Sequence, residues 1–275
     1  MIRTVGLLTL LLAILMGVGG LIGGRTGVMI AFAIGLGLNF ANYWFSGSLV
    51  LKAHGAQIIE PGSRLQWLVD DVQEMTSRVG MPMPKVAYIP KPGPNAFATG
   101  RNPDNAVVAV TQGLLDVCDR REVRAVMAHE LGHVRNRDML TMTLVAGAVS
   151  AIAMLAMLAR FSAFFGGGDE DGPNPLLLIA VAIFAPMIAM LVQMAISRRR
   201  EFEADETGAE IAQDPAALAS ALEALHRGIP RTPPLTETGA TAHMMIANPF
   251  FGRKLSKMFS THPDPAERIR RLRAM

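Results

Sequence analysis

At 275 residues, with 51% hydrophobic side chains yet 26 basic and 23 acidic ones, the chain is too apolar for an ordinary soluble domain and too charged to lie wholly in lipid. Its one cysteine, Cys118, excludes an internal disulfide framework and a thiolate metal cage, leaving histidine and carboxylate as the ligands for any metal. The net charge of +3, without aromatic residues interleaved among the arginines, gives no nucleic-acid surface and is read as basic excess facing a membrane, so the expected partners are a lipid bilayer and no nucleic acid.

In chain order, the first predicted elements are two apolar helices. Thr4–Gly23 and, after Arg25, Gly27–Leu51 carry no charge, and each can cross about 30 Å of hydrocarbon, so residues 1–51 are expected to form a transmembrane hairpin. Cleavage of the first helix as a signal peptide is not expected, because its glycine-rich end lacks an A-x-A site and a second span follows at once. Residues 52–138 are water-exposed in character. Within them, Ala96–Thr99 and Ala106–Val110 read as short strands on either side of the turn-forming Gly100-Arg101-Asn102-Pro103-Asp104-Asn105, hence a β-hairpin. Its edge could take a substrate as an added strand, which makes Asn95, Ala96, Phe97 and Ala98 candidate substrate-binding residues. Asp119 and Glu122 then spell a capping box, and Val123, Val126, Met127, Leu131 and Val134 recur at helical spacing.

Two further uncharged stretches, Met139–Ala159 and Leu176–Ile196, are joined by a loop over Gly166–Asn174. They predict a second hairpin over 139–196, transmembrane or membrane-associated, rich in Ala and Met and carrying Pro186. Residues 197–275 return to water. Asp264, Pro265 and Glu267 cap a last helix with Ile269 and Leu272 turned inward, while Arg268, Arg270, Arg271 and Arg273 are expected on a solvated or phospholipid-facing side. Charge orients the spans: Lys52, Arg64, Arg78, Lys85, Arg135, Arg137 and Arg198 to Arg200 oppose Asp169, Glu170 and Asp171. By the positive-inside rule, segments 52–138 and 197–275 and both termini are cytoplasmic, and the two segments form one split domain.

The chemistry is concentrated in His129-Glu130-Leu131-Gly132-His133. Two histidines at i and i+4 on a helix share a face, so their imidazoles can converge on Zn²⁺ while Glu130 acts as base toward its water. A catalytic zinc needs a third protein ligand, and the chain returns after the fourth apolar stretch with Ser197-Arg198-Arg199-Arg200-Glu201-Phe202-Glu203-Ala204-Asp205. Spacing leaves Glu201, Glu203 and Asp205 open for that role; Glu201 and Asp205 lie one helical turn apart, so one can bind metal while the other orients a ligand. His54, His226 and His243 have no ligand-like spacing.

In order along nearly its whole length, the chain resembles the HtpX-type membrane zinc metalloproteases, bacterial relatives of the CAAX prenyl-protein proteases. The likeness rests on the two N-terminal spans, Pro94 to Gly100, Val107 to Leu115, the His129–His133 motif, two more apolar stretches, Ser197 to Asp205 and Thr261-His262-Pro263. It implies a mainly α, multi-pass membrane protein with a zincin-like metalloprotease domain, a small β-hairpin or sheet and the metal motif on a helix. It further implies that Glu201 is the third ligand to a single Zn²⁺ with Asp205 in support. By the same likeness, His262 lies near the zinc, to stabilise an oxyanion or act as a reversible fourth ligand. The expected function is that of a zinc metalloendopeptidase of a bacterial inner membrane, cleaving misfolded membrane proteins in stress-related quality control. An intramembrane protease is disfavoured because Arg124, Arg135, Arg137 and Asp138 flank the motif, and a non-catalytic zinc adaptor has no need of Glu130.

Overall fold

Residues 2–165, 174–228 and 264–275 are described by the computed structural model. They form two compact units, one of Met1–Trp44 with Thr141–Ile196 and one of Phe45–Leu140 with Ser197–Met275.

The first unit is helical. Helix α1 (Ile2–His54) contains both N-terminal apolar stretches and doubles back at Gly23 and Gly24, where Gly24 takes φ 55°, a left-handed value open to glycine without cost. Its two legs approach closely: a Cβ on Gly27 would collide with the Gly19 carbonyl oxygen, and one on Gly35 would lie 2.7 Å from Leu15 Cδ2. Small residues allow this approach, which is how helices gain packing where lipid removes the hydrophobic drive. Helices α5 (Asp138–Phe165) and α6 (Pro175–Ala212) complete the unit with their apolar portions. Leu11, Leu15 and Ala31 of α1, Val145, Ala151 and Ile152 of α5, and Ala189 and Ile196 of α6 make its core. Outward, Phe32, Leu36, Phe40, Met157, Phe161 and Phe184 are exposed, the inverse of a soluble bundle and the pattern of helices solvated by lipid. Among the described residues, three helices, α1, α5 and α6, are long and apolar enough to cross a membrane, and α1 supplies two legs. Tyr43 and Trp44, with Phe40 stacked on Trp44 at 5.8 Å, form an aromatic group of the kind that sits at a membrane–water boundary.

The second unit holds a four-stranded mixed sheet in the order β1-β2-β4-β3. Strand β1 (Gln57–Ile58) runs antiparallel to β2 (Lys85–Ile89), β2 parallel to β4 (Val107–Thr111), and β3 (Ala96–Thr99) antiparallel to β4 with Ala98 opposite Val108. The hairpin expected from the sequence is β3–β4. Its loop closes with a 3₁₀ turn, Pro103–Asn105, whose Asn102 side chain accepts from Asn105 N at 3.0 Å.

Both faces of the sheet are covered, which is why β4 is buried throughout and apolar up to its last residue, Thr111. Val86, Ala96, Ala98, Val108 and Val110 pack on helices α2 (Gln66–Arg78), α4 (Arg120–Arg135) and α7 (Pro215–Gly228) through Leu68, Val72, Met75, Val126, Met127, Leu131 and Leu218. Ala87, Ile89, Phe97, Val107 and Ala109 pack on the last turns of α1 through Val50. A short α3 (Gln112–Val117) links sheet to α4, which opens on the expected capping box: Asp119 accepts from Glu122 N at 2.8 Å, and Glu122 accepts from Asp119 N at 3.0 Å. The last helix, α8 (Pro265–Leu272), is capped by Asp264 and packs beside α7.

Candidate metal centre

Helix α4 is buried along the face bearing the motif, and the rings of His129 and His133 meet edge to face with centroids 4.7 Å apart. The charged end of α6 crosses this helix with no room for side chains between the backbones. A Cβ on Gly132 would lie 2.8 Å from the Ala204 carbonyl oxygen, and one on Gly208 would lie 2.7 Å from His129 Cα. Glycine at both crossing points lets α6 lay Glu201 against the two imidazoles.

The geometry fits a metal. Glu201 Oε1 lies 3.6 Å from His133 Nε2 and Oε2 lies 3.7 Å from His129 Nε2, and one ligand atom from each of the three residues falls within 4.8 Å of the others. Ligands about 2.0–2.1 Å from a tetrahedral Zn²⁺ would be about 3.4 Å apart, so the trio needs only small adjustment. The opposite nitrogen of each ring faces a carboxylate. His133 Nδ1 donates to Asp138 Oδ2 at 2.8 Å, and His129 Nδ1 lies 3.0 Å from Asp205 Oδ1. With Nδ1 engaged in this way, Nε2 is left as the ligand. Burial pushes the His133 imidazole down, but the Asp138 hydrogen bond and the charges of Glu201 and Glu130 outweigh it, and its pKa rises to about 9.

Of the three carboxylates that spacing left open, Glu201 and Asp205 point into the centre and are buried, whereas Glu203 is partly exposed and pairs with Arg199 and Arg200 at 2.7 Å each. Glu130 is also buried and is coupled electrostatically to His133 and Arg268.

Arg268 departs from expectation. Placed by sequence on a solvated or phospholipid-facing side, it is instead 2% exposed and grips Asp205 with two hydrogen bonds, Nε to Oδ2 at 2.8 Å and Nη2 to Oδ1 at 2.6 Å. Its Nη1 lies 3.0 Å from Glu201 Oε2. The signal was present in the sequence: Arg268 stands four residues before the inward-facing Leu272, hence on the same side of α8. Asp138 was likewise read only as a flanking charge, yet it is 3% exposed and lies 2.6 Å from Arg200 Nε.

The candidate substrate strand is β3, at one end of the sheet order and packed against α4. Ala96, Phe97 and Ala98 are buried in the two cores, and the Asn95 backbone is fixed to the Thr111 hydroxyl at 2.8 and 3.0 Å. His262 and His243 lie outside the described residues, as does the acidic loop Asp169–Asp171. His54 is buried against Phe97, and His226 is exposed.

Fold and site together define a membrane zinc metallopeptidase whose ligands are two histidines of one helix and a glutamate brought back by another. Comparison with known proteins places it further: the family model of Peptidase family M48 matches residues 63–275, and the chain belongs to that family. It is 51% identical over 282 residues to a Protease HtpX homolog of Ralstonia nicotianae, covering 100% of this chain and 96% of the relative. It is 50% identical over 275 residues to a Protease HtpX homolog of Desulfatibacillum aliphaticivorans, covering 98% and 88%. The crystal structure of S. mikatae Ste24p shares the fold with a TM-score of 0.58 at 19% identity; the match covers 97% of this chain and spans 62% of that one.

Proposed function

We propose that this metalloprotease is a membrane-bound endopeptidase that hydrolyses peptide bonds of misfolded membrane proteins in stress-related quality control. In this proposal its catalytic domain and both termini face the cytoplasm of a bacterial inner membrane. Residues 1–51 and 139–196 are its membrane hairpins, and 52–138 and 197–275 are the two parts of its catalytic domain. The observation that carries the proposal is the continuity of α6: one unbroken helix holds the fourth apolar stretch and, just beyond it, Glu201. A site whose ligand stands at the end of a candidate span is suited to substrates that arrive along or out of a bilayer.

Zinc held by His129, His133 and Glu201 would supply Lewis acidity that lowers the pKa of a water toward about 7 and polarises the scissile carbonyl. Glu130 takes the proton of the attacking water and hands it to the leaving amine nitrogen, in keeping with its burial beside the ligands. Asp205 holds His129 in the tautomer that leaves Nε2 free for metal. His262 is assigned the oxyanion or fourth-ligand role on resemblance alone. Asn95, Ala96, Phe97 and Ala98 are assigned to the substrate through the backbone edge of β3, which can take an extended peptide as a further strand and leave its core side chains in place.

The test is Glu130→Gln in the full-length protein, reconstituted in lipid vesicles with a membrane-protein substrate and assayed with and without chelator. The variant should keep its zinc and lose proteolysis by at least about a hundredfold. Full activity in that variant would remove Glu130 from the mechanism.

A further inference from the structure

We infer that Asp138 is a positioning residue of the metal centre: it fixes the ring of His133 from behind, and Arg200 fixes Asp138. Asp138 is the first residue of α5 and is almost wholly buried. One of its oxygens receives His133 Nδ1 at 2.8 Å, and the other lies 2.6 Å from Arg200 Nε. Arg200 precedes the third ligand, Glu201, on α6, and it also donates from Nη2 to the Asn136 carbonyl at 3.3 Å and from Nη1 to Glu203 at 2.7 Å. One guanidinium thus ties the corner between α4 and α5 to the helix that carries Glu201.

The corner has the geometry this task requires. In an unbroken helix, a residue five positions on is rotated about 140° from its origin, so Asp138 would face away from His133. The chain avoids this with Arg137 at φ 56°, a left-handed conformation that a residue with a side chain enters only at a cost. That single step turns Asp138 back onto the histidine. An acidic first residue on a helix is often no more than a favourable partner for the helix dipole, exposed to solvent. Here the carboxylate is buried, which is costly unless it is paired, and both of its oxygens have a partner.

The arrangement repeats on the other histidine. His129 has Asp205 at Nδ1 and Arg268 behind Asp205. Each imidazole is therefore backed by an Asp–Arg pair drawn from different elements, α5 with α6 for His133 and α6 with α8 for His129. Orientation by a carboxylate also raises the basicity of the ligating nitrogen, which strengthens metal binding.

The experiment compares wild type, Asp138→Ala and Asp138→Asn as full-length protein in detergent micelles. Three quantities are read: the zinc dissociation constant by chelator competition, the ligand-field spectrum after Co²⁺ substitution, and the unfolding temperature without metal. Asp138→Ala should weaken zinc binding about a hundredfold and shift the Co²⁺ spectrum, and Asp138→Asn, which still accepts from Nδ1 but carries no charge, should weaken it about tenfold. A purely structural role would lower the metal-free unfolding temperature and leave the zinc affinity and spectrum of the folded protein at wild-type values, and that result would overturn the assignment. If Asp138→Ala does not fold, the isosteric Asp138→Asn decides, and wild-type zinc affinity in it would be equally fatal.

Discussion

Arg268 shows how a buried charge is kept in place by its neighbours. Burial opposes the charge on Arg268, but the carboxylates of Asp205 and Glu201 overcome that and raise its pKa further. Arg268→Ala would leave Asp205 without its two hydrogen bonds in a dry site, so unfolding in denaturant should show a loss of about 3–5 kcal/mol. Arg273→Ala, which breaks an exposed pair with Glu223, should cost little, and equal losses for the two would contradict the roles assigned here. His133 adds a pH dependence. Its folded pKa of about 9 exceeds the ordinary 6.5, so its pairing stabilises the metal-free protein fully below pH 6.5 and is lost as pH rises through about 9. Chelator-treated protein should therefore melt at falling temperature across that interval, while zinc affinity rises over the same interval because the competing proton leaves. Melting that is insensitive to pH between these limits would show that His133 is not held as described.

At the scale of elements, the crossing of α4 and α6 is the decisive contact. Gly208→Ala would drive a methyl group to 2.7 Å from His129 Cα. It should cost about 1–3 kcal/mol and displace Glu201 from the histidines, seen as weakened zinc binding in chelator competition. Arg137→Gly should keep full zinc binding and gain up to about 1 kcal/mol in denaturant unfolding, since it relieves the left-handed strain while preserving the corner. The β3–β4 hairpin and the capped α4 were legible in the sequence because alternation, turn residues and helical spacing are local patterns. The parallel pairing of β2 with β4 was not, since it joins segments that no local pattern connects. Arg268 was misplaced and Asp138 given no role for a related reason: the partners that let each charge be buried, Asp205 and Arg200, are brought to it only by the fold. The resemblance, together with one helical turn of spacing, singled out Glu201 and Asp205, and the structure turns both inward and Glu203 away.

For the whole molecule, the residues of the metal centre lie in two stretches of chain separated by α5 and the apolar part of α6. The proposed orientation predicts that a reporter inserted at Glu170 and one at the C-terminus face opposite sides of the membrane; the same side for both would mean that the second hairpin does not cross. Trp44 should be quenched by lipids brominated near the headgroup in a Trp67→Phe background, as an aromatic group at the interface requires. The metal centre itself depends on α6 returning Glu201 to α4. Metal content of purified full-length protein tests this most directly, with wild type, Glu201→Ala and Glu203→Ala side by side. Wild type and Glu203→Ala should each hold about one zinc per chain, and Glu201→Ala should lose most of it under the same chelator. Zinc retained by Glu201→Ala and lost by Glu203→Ala would contradict the centre described here.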